Sequence, residues 1–168
     1  MRVLVAVGSK HGATLEIGAA IGSTLADMGL HPAVVATDDS ERPDDYDAVV
    51  LGSAVYAGHW VKSAVEYVER HREALASRPV WLFSSGPIGD PPRPDEEPVD
   101  VADIVEATGA IDHRIFAGKM DKGALSFGEK AIALAFRAPE GDFRNWTAIQ
   151  RWAQEIARKL AAESGTAR

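Results

Sequence analysis

The chain has 168 residues, the size of one ordinary domain, long enough to bury roughly 70% of its extended surface around a core without staples. With 46% hydrophobic and 26% charged residues it has the profile of a soluble globular protein, and the lack of any cysteine excludes disulfides, thiolate metal sites, iron–sulfur clusters and cysteine nucleophiles. A net charge of −7 with no basic stripe argues against nucleic acid, no run approaches the ~20 apolar residues of a transmembrane helix, and the cysteine-free composition suits a reducing, cytoplasmic setting.

Val3 to Val7 is an unbroken, valine-rich apolar run, the pattern of a strand buried on both faces of a parallel sheet. It is too short for the apolar region of a signal peptide. The loop Gly8-Ser9-Lys10-His11-Gly12-Ala13-Thr14 follows. Ile17, Ile21, Leu25 and Met28 then recur at helical spacing, and Gly29 is a stop signal. His31 to Ala36 reads as a second strand, and 38–47 as an acidic loop with Pro43. Ala48 to Leu51 is the third strand and runs into a loop from Gly52 to Trp60; Val61, Ala64, Val65 and Val68 mark the next helix. Pro79 to Phe83 is the fourth strand, followed by a loop from Ser84 to Asp90. Five prolines between positions 87 and 98 keep that stretch irregular. A short helix over 99–108 and a fifth strand over 111–117 come next. Trp146, Ile149, Ala153, Ile156 and Leu160 define a last helix, with Asn145 as its N-cap and a frayed tail after Glu163.

Strand and helix alternate throughout, which predicts an α/β fold: a doubly wound parallel sheet between two helical layers, built as one domain over residues 1–168. Ligands of such sheets bind at the carboxyl ends of the strands, so the loops after strands one, three and four should converge. The first loop joins a strand to a helix through a glycine and hydroxyls. Its backbone N–H groups and the positive helix end face an anion, Ser9 and Thr14 add hydroxyl donors, and Gly12 lets the main chain approach. The spacing matches neither the G-x-x-x-x-G-K-[ST] triphosphate motif nor the G-x-G-x-x-G dinucleotide motif, so a mononucleotide monophosphate fits better. The second loop contributes Ser53, Ala54, Val55, Tyr56, Ala57 and Gly58, with Tyr56 as the stacking wall for a flat heterocycle. Trp60 stands either behind that wall or as a core anchor. The third loop offers Ser84, Ser85, Gly86 and Gly89 to the other side of the ring. His11 reads either as a phosphate contact or as a solvent-facing side chain. His59 and Lys119 are the nearest candidates for a proton donor or acceptor.

The Ser-x-x-Gly-x-Thr core of residues 9–14 resembles the phosphate loop of flavodoxins. The segments Gly52-Ser53-Ala54-Val55-Tyr56-Ala57-Gly58-His59 and Phe116-Ala117-Gly118-Lys119-Met120-Asp121, with a glycine–acid stretch before Trp146, are similar to the flavodoxin-domain branch that contains the menaquinone-dependent protoporphyrinogen oxidase. The resemblance spans nearly the whole chain. It implies a flavodoxin-like sheet of five parallel strands in the order 2-1-3-4-5 and flavin mononucleotide (FMN) held by Ser9, Lys10, His11, Gly12, Ala13 and Thr14. It further implies oxidation of a porphyrinogen in haem biosynthesis, with electrons passing to a quinone, and an extra segment before the last helix. Residues 122–145 fill that place, with Leu125, Ile132, Leu134 and Phe136 as apolar residues. Lys122, Lys130 and Arg137 are fewer basic groups than a membrane-docking insert calls for.

Three other activities compete with that enzyme. A flavodoxin-type carrier between redox proteins suits the acidic surface, which would steer it to basic partners. A deazaflavin-binding relative would use the same loops. A phosphorylated receiver of the same topology is excluded, because Gly52-Ser53 stands where an aspartate is required.

Overall fold

The computed structural model describes residues 1–89, 93–94, 96–135 and 137–166. Three candidates fall wholly or partly elsewhere: Asp90 at the end of the third loop and Phe136 of the insert lie outside the described residues, as does the end of the tail.

The strands and helices follow in the order β1 (Arg2–Gly8), α1 (Ala13–Asp27), β2 (His31–Ala36), β3 (Ala48–Tyr56), β4 (His59–Trp60), α2 (Lys62–Arg70), α3 (Arg72–Ala76), β5 (Val80–Ser85), α4 (Val101–Thr108), β6 (Asp112–Phe116), β7 (Lys119–Met120), α5 (Phe127–Ala135), β8 (Gly141–Asp142) and α6 (Trp146–Thr166). The tail expected to fray after Glu163 continues helical to Thr166. Asn145 caps α6 as expected, its Oδ1 accepting from the Ala148 N–H at 3.0 Å.

Period-two alternation divides the strand side chains between two cores. Val3, Val5, Val7, Val50, Trp81 and Phe83 point to one face and pack on Ile17, Ile21 and Leu25 of α1 and on Ile149, Trp152 and Ile156 of α6. Leu4, Ala6, Val49, Leu51 and Leu82 point to the other face and pack on Tyr67 and Val68 of α2, Leu75 of α3 and Ile104 of α4. The result is a three-layer α/β/α sandwich around a parallel sheet. No helix of the described residues is long and apolar enough to cross a membrane.

The sheet order is β2-β1-β3-β5-β6, with the short β4 paired to β3 alone. The five parallel strands, counted by themselves, stand in the expected order 2-1-3-4-5; the correction is a sixth strand, the antiparallel β4, which shifts the numbering of those after it. Tyr56 and His59 pair across a two-residue turn in which Ala57 (φ 50°) and Gly58 (φ 79°) both take left-handed backbone, the geometry of a type I′ hairpin. Part of what reads in sequence as one long loop is thus strand and tight turn.

Parallel register sets the height at which the loops leave. Gly8 of β1 pairs with Ser53 of β3, Ser53 pairs with Ser84 of β5, and Ser84 with Ile115 of β6. The chain after β1, β3, β5 and β6 therefore emerges along one edge.

Just below that edge Gly52 is matched with Phe83, whose ring fills the space a side chain at the glycine would need. A Cβ built on Gly52 would come within 2.1 Å of the Phe83 ring. Gly52→Ala is expected to lower unfolding free energy by about 3 kcal/mol, the upper end of an overpacking penalty, read by urea denaturation.

Candidate functional site

The four strand ends border a cleft of about 240 Å³. The turn after β1 forms one wall. Gly12 takes φ +87° and precedes α1 with no side chain capping it, so the helix begins with bare N–H groups beside the cleft. Ser9 Oγ accepts from the Gly12 N–H at 3.0 Å, which closes the turn on itself. Ser9, His11, Ala13 and the buried Thr14 line the cleft, whereas Lys10 and Gly12 stand outside its lining.

The hairpin β3–β4 supplies the second wall through Ala54, Val55, Tyr56 and Ala57. Tyr56 is 40% exposed on the rim; His11 meets its ring edge-on at 6.3 Å between centroids, and Lys10 Nζ lies 5.6 Å from the ring centre. Burial, then the charge of Glu129, raises the phenol pKa above its ordinary value. The end of β5 adds Ser85 and the loop after it Gly86, while Gly89 is not part of the lining.

Ser53, Ser84 and Gly58 also lie off the cleft lining. The Ser53 hydroxyl donates to the Ala54 carbonyl (2.7 Å) and accepts from the Val61 N–H (3.0 Å), which fixes the start of α2. Gly58 accepts from the Val99 N–H through its carbonyl (2.9 Å), tying the hairpin tip to the start of α4. Ser84 belongs to a relay beneath the floor. Trp60 Nε1 donates to Ser84 Oγ (2.8 Å), Ser84 Oγ lies 2.7 Å from His113 Nε2, and His113 Nδ1 lies 3.1 Å from Glu97 Oε1. A carboxylate only accepts, so a neutral His113 carries its proton on Nδ1 facing Glu97, and its Nε2 accepts from the Ser84 hydroxyl, which in turn accepts from the Trp60 indole N–H. The order serine, histidine, carboxylate is that of a nucleophile relay, but Ser84 has 0% exposure and holds no reactive position. Trp60, 3% exposed, is a core anchor rather than a second wall.

Residues 118–125 form a side of the cleft that the three-loop reading did not include. Gly118, Lys119, Met120 and Asp121 follow β6, and Ala124 and Leu125 open the insert. Strand-end convergence, applied to the fifth parallel strand as well, would have found the first four. The described residues of the insert include α5 and β8, and β8 pairs with β7 just ahead of the insert. Arg144 ties it to the first wall. Its side chain is 4% exposed, and its guanidinium contacts Asp142 in two-pronged fashion (2.9 and 2.8 Å), donates to the Ala13 carbonyl (3.0 Å) and Glu16 (2.5 Å), and stacks 4.5 Å from the Trp146 ring centre. Contact with Arg144 holds the Asp142 carboxyl below its usual range. Of the two candidates for proton transfer, Lys119 lines the cleft; His59 lies off it, paired with Asp100 at 3.1 Å.

Residues 4–144 match the model of the flavodoxin domain. The chain belongs to the flavodoxin domain family. Flavodoxin domains bind FMN, which makes FMN the cofactor of this chain. Solved structures agree on the flavodoxin fold. A flavodoxin from the domain Archaea aligns over 96% of this chain and 99% of its own at TM-score 0.65 and 16% identity. The flavodoxin of Streptococcus pneumoniae TIGR4 aligns over 97% and 99% at 0.60 and 17%. The rubredoxin oxygen:oxidoreductase of Desulfovibrio gigas aligns over 96% of this chain but 36% of its own, at 0.65 and 14%. Among curated proteins, the protoporphyrinogen IX dehydrogenase (quinone) of Escherichia coli K12 is 30% identical over 86 residues, 50% of this flavodoxin domain and 48% of that protein. The matched region thus spans about half the length of that relative.

The relay under the cleft yields a pH prediction. Burial pushes the His113 pKa down despite the raising influence of Glu97 and Asp112; His71 is lowered as well, by burial and then Arg70. The folded state therefore binds fewer protons than the unfolded chain, whose histidines titrate near 6.5, and stability is lost as pH falls below that value. Urea unfolding at about pH 7.5 and about pH 5.5 should show the drop. His113→Gln should be less stable at the higher pH and lose less on acidification; an unchanged pH slope would refute the role of His113.

Proposed function

We propose that this flavodoxin domain, taken as residues 1–168, uses FMN to oxidise a bulky reduced tetrapyrrole of the porphyrinogen class, with a quinone as acceptor. The observation that carries the reading is the insert. Residues 122–145 are far longer than the ~2 to 6 residues that usually join a strand to the next helix, and their first turn, with Met120 before it, gives the cleft an apolar side. The partial identity to a protoporphyrinogen IX dehydrogenase supports the same substrate class.

The cleft fits the cofactor in three respects. The turn of residues 9–14 presents main-chain N–H groups and the Thr14 hydroxyl at the start of a 15-residue helix, a site for a monophosphate. Tyr56 offers an aromatic face on the rim, and Gly86, packed against Val55, lines the cleft without a side chain. Ser9, Lys10, His11, Gly12 and Ala13 complete the phosphate side; Ala54, Val55, Ala57 and Ser85 complete the ring side. Ser53, Gly58, Ser84 and Gly89 support the walls from outside. When bound, FMN accepts a hydride or single electrons from the substrate and passes them on. The protein orients the ring, and Lys119 and Asp121 stand at the insert side of the cleft where a proton can be held. The active protein would work in the cytoplasm, meeting the quinone at a membrane surface without spanning it.

A second reading, a carrier shuttling electrons between redox proteins, is favoured by the net charge of −7. The two separate in one experiment. Residues 123–140 are replaced by a short Gly/Ser linker that leaves β7 and β8 in place. FMN binding should survive, whereas turnover of protoporphyrinogen with menadione should collapse. If the intact protein shows no such turnover but exchanges electrons with a flavoprotein reductase, the carrier reading replaces the enzyme.

Thr14→Val tests the phosphate side. Loss of one hydrogen bond to a charged group, about 1.5–3 kcal/mol, should weaken FMN about ten- to a hundredfold by isothermal titration and leave riboflavin unaffected. An FMN affinity equal to wild type would remove Thr14 from the site.

A further inference from the structure

One carboxylate engages both the ammonium of Lys10 and the imidazole of His11 in the loop between β1 and α1. Glu129 of α5 places Oε1 3.0 Å from Lys10 Nζ and Oε2 2.9 Å from His11 Nε2. Hydrogen bonding to His11, then to Ser126 and Lys10, holds the Glu129 carboxyl at about 2, so it is anionic at neutral pH. The packing of α5 does not account for this placement. Ala133 is its only buried residue, while Phe127 (91% exposed), Ile132 (62%) and Leu134 (74%) face outward. Glu129 also closes a reciprocal cap with Ser126 at the start of α5, at 3.3 and 3.4 Å, but that cap does not require the contacts to Lys10 and His11. The shortest contacts of Glu129 are the two to the loop.

We propose that Glu129 is an internal counter-anion that competes with the cofactor's phosphate for Lys10 and His11, so that filling the phosphate site and docking the insert oppose each other. The inference rests on the reading that residues 9–14 hold the phosphate. A carboxylate and a phosphate drawn to the same ammonium and the same imidazole N–H repel, and each weakens the hold of the other on the loop. At a partly exposed site the repulsion amounts to about 3- to 10-fold in affinity. Coupling of this kind is reciprocal: whatever factor Glu129 takes from FMN affinity, FMN takes from the docking of α5. Since Ala124 and Leu125 line the cleft ahead of α5, occupancy of the phosphate end is felt at the apolar side where a substrate would enter.

The experiment titrates flavin-free wild type and Glu129→Gln with FMN and with riboflavin, which lacks the phosphate, following flavin fluorescence. At low salt the variant should bind FMN about 3- to 10-fold more tightly, and the gain should shrink at about 0.5 M salt. Riboflavin affinity should be the same for both proteins. Hydrogen exchange should show FMN speeding the α5 amides in wild type and not in the variant. A variant that binds FMN no more tightly than wild type, or that gains equally for riboflavin, overturns the competition while leaving the phosphate loop intact. Wild type that binds riboflavin and FMN equally well overturns the phosphate-loop reading and the competition together.

Discussion

The structure depends on the parallel register of its sheet. A parallel strand is reached only by a crossover, here through α1, α2 with α3, and α4, so every strand of the set runs the same way and ends on the same edge. Gly8, Ser53 and Ser84 stand at one level in that register. Neither the turn after β1, the β3–β4 hairpin nor the loop after β5 encloses the cleft by itself. The cleft exists because four chain segments leave the sheet side by side.

Two kinds of interaction maintain that edge. Beneath it the structure is close-packed and its polar groups are satisfied: Phe83 covers Gly52, and the Trp60–Ser84–His113–Glu97 relay crosses from the hairpin to β6 and the segment before α4. No buried side-chain polar atom among the described residues lacks a partner, so the floor is stiff and the loops spring from fixed points. Above it, charge does most of the holding. Arg144 joins the insert to the first turn of α1, and Glu129 joins α5 to Lys10 and His11. Partly exposed ion pairs contribute little each and weaken with salt, and an element with one buried residue opens at low free-energy cost.

The sequence by itself determined the architecture and the first loop. The valine-rich runs of β1 and β3 are buried on both faces, and only a parallel sheet between two helical layers covers such strands. The turn of residues 9–14 was legible because its chemistry is local: a glycine, two hydroxyls and a helix start within six positions. The hairpin at Ala57 was not, because a non-glycine residue at φ 50° is adopted only where surrounding contacts impose it. Nor were the roles of Glu129 and Arg144, whose partners lie more than a hundred residues away in sequence. The serines show the limit most clearly. Ser84 and Ser85 are neighbours with identical chemistry, yet successive side chains of a strand point to opposite faces. The tertiary structure alone decided that Ser85 borders the cleft and that Ser84 meets Trp60 and His113 beneath it.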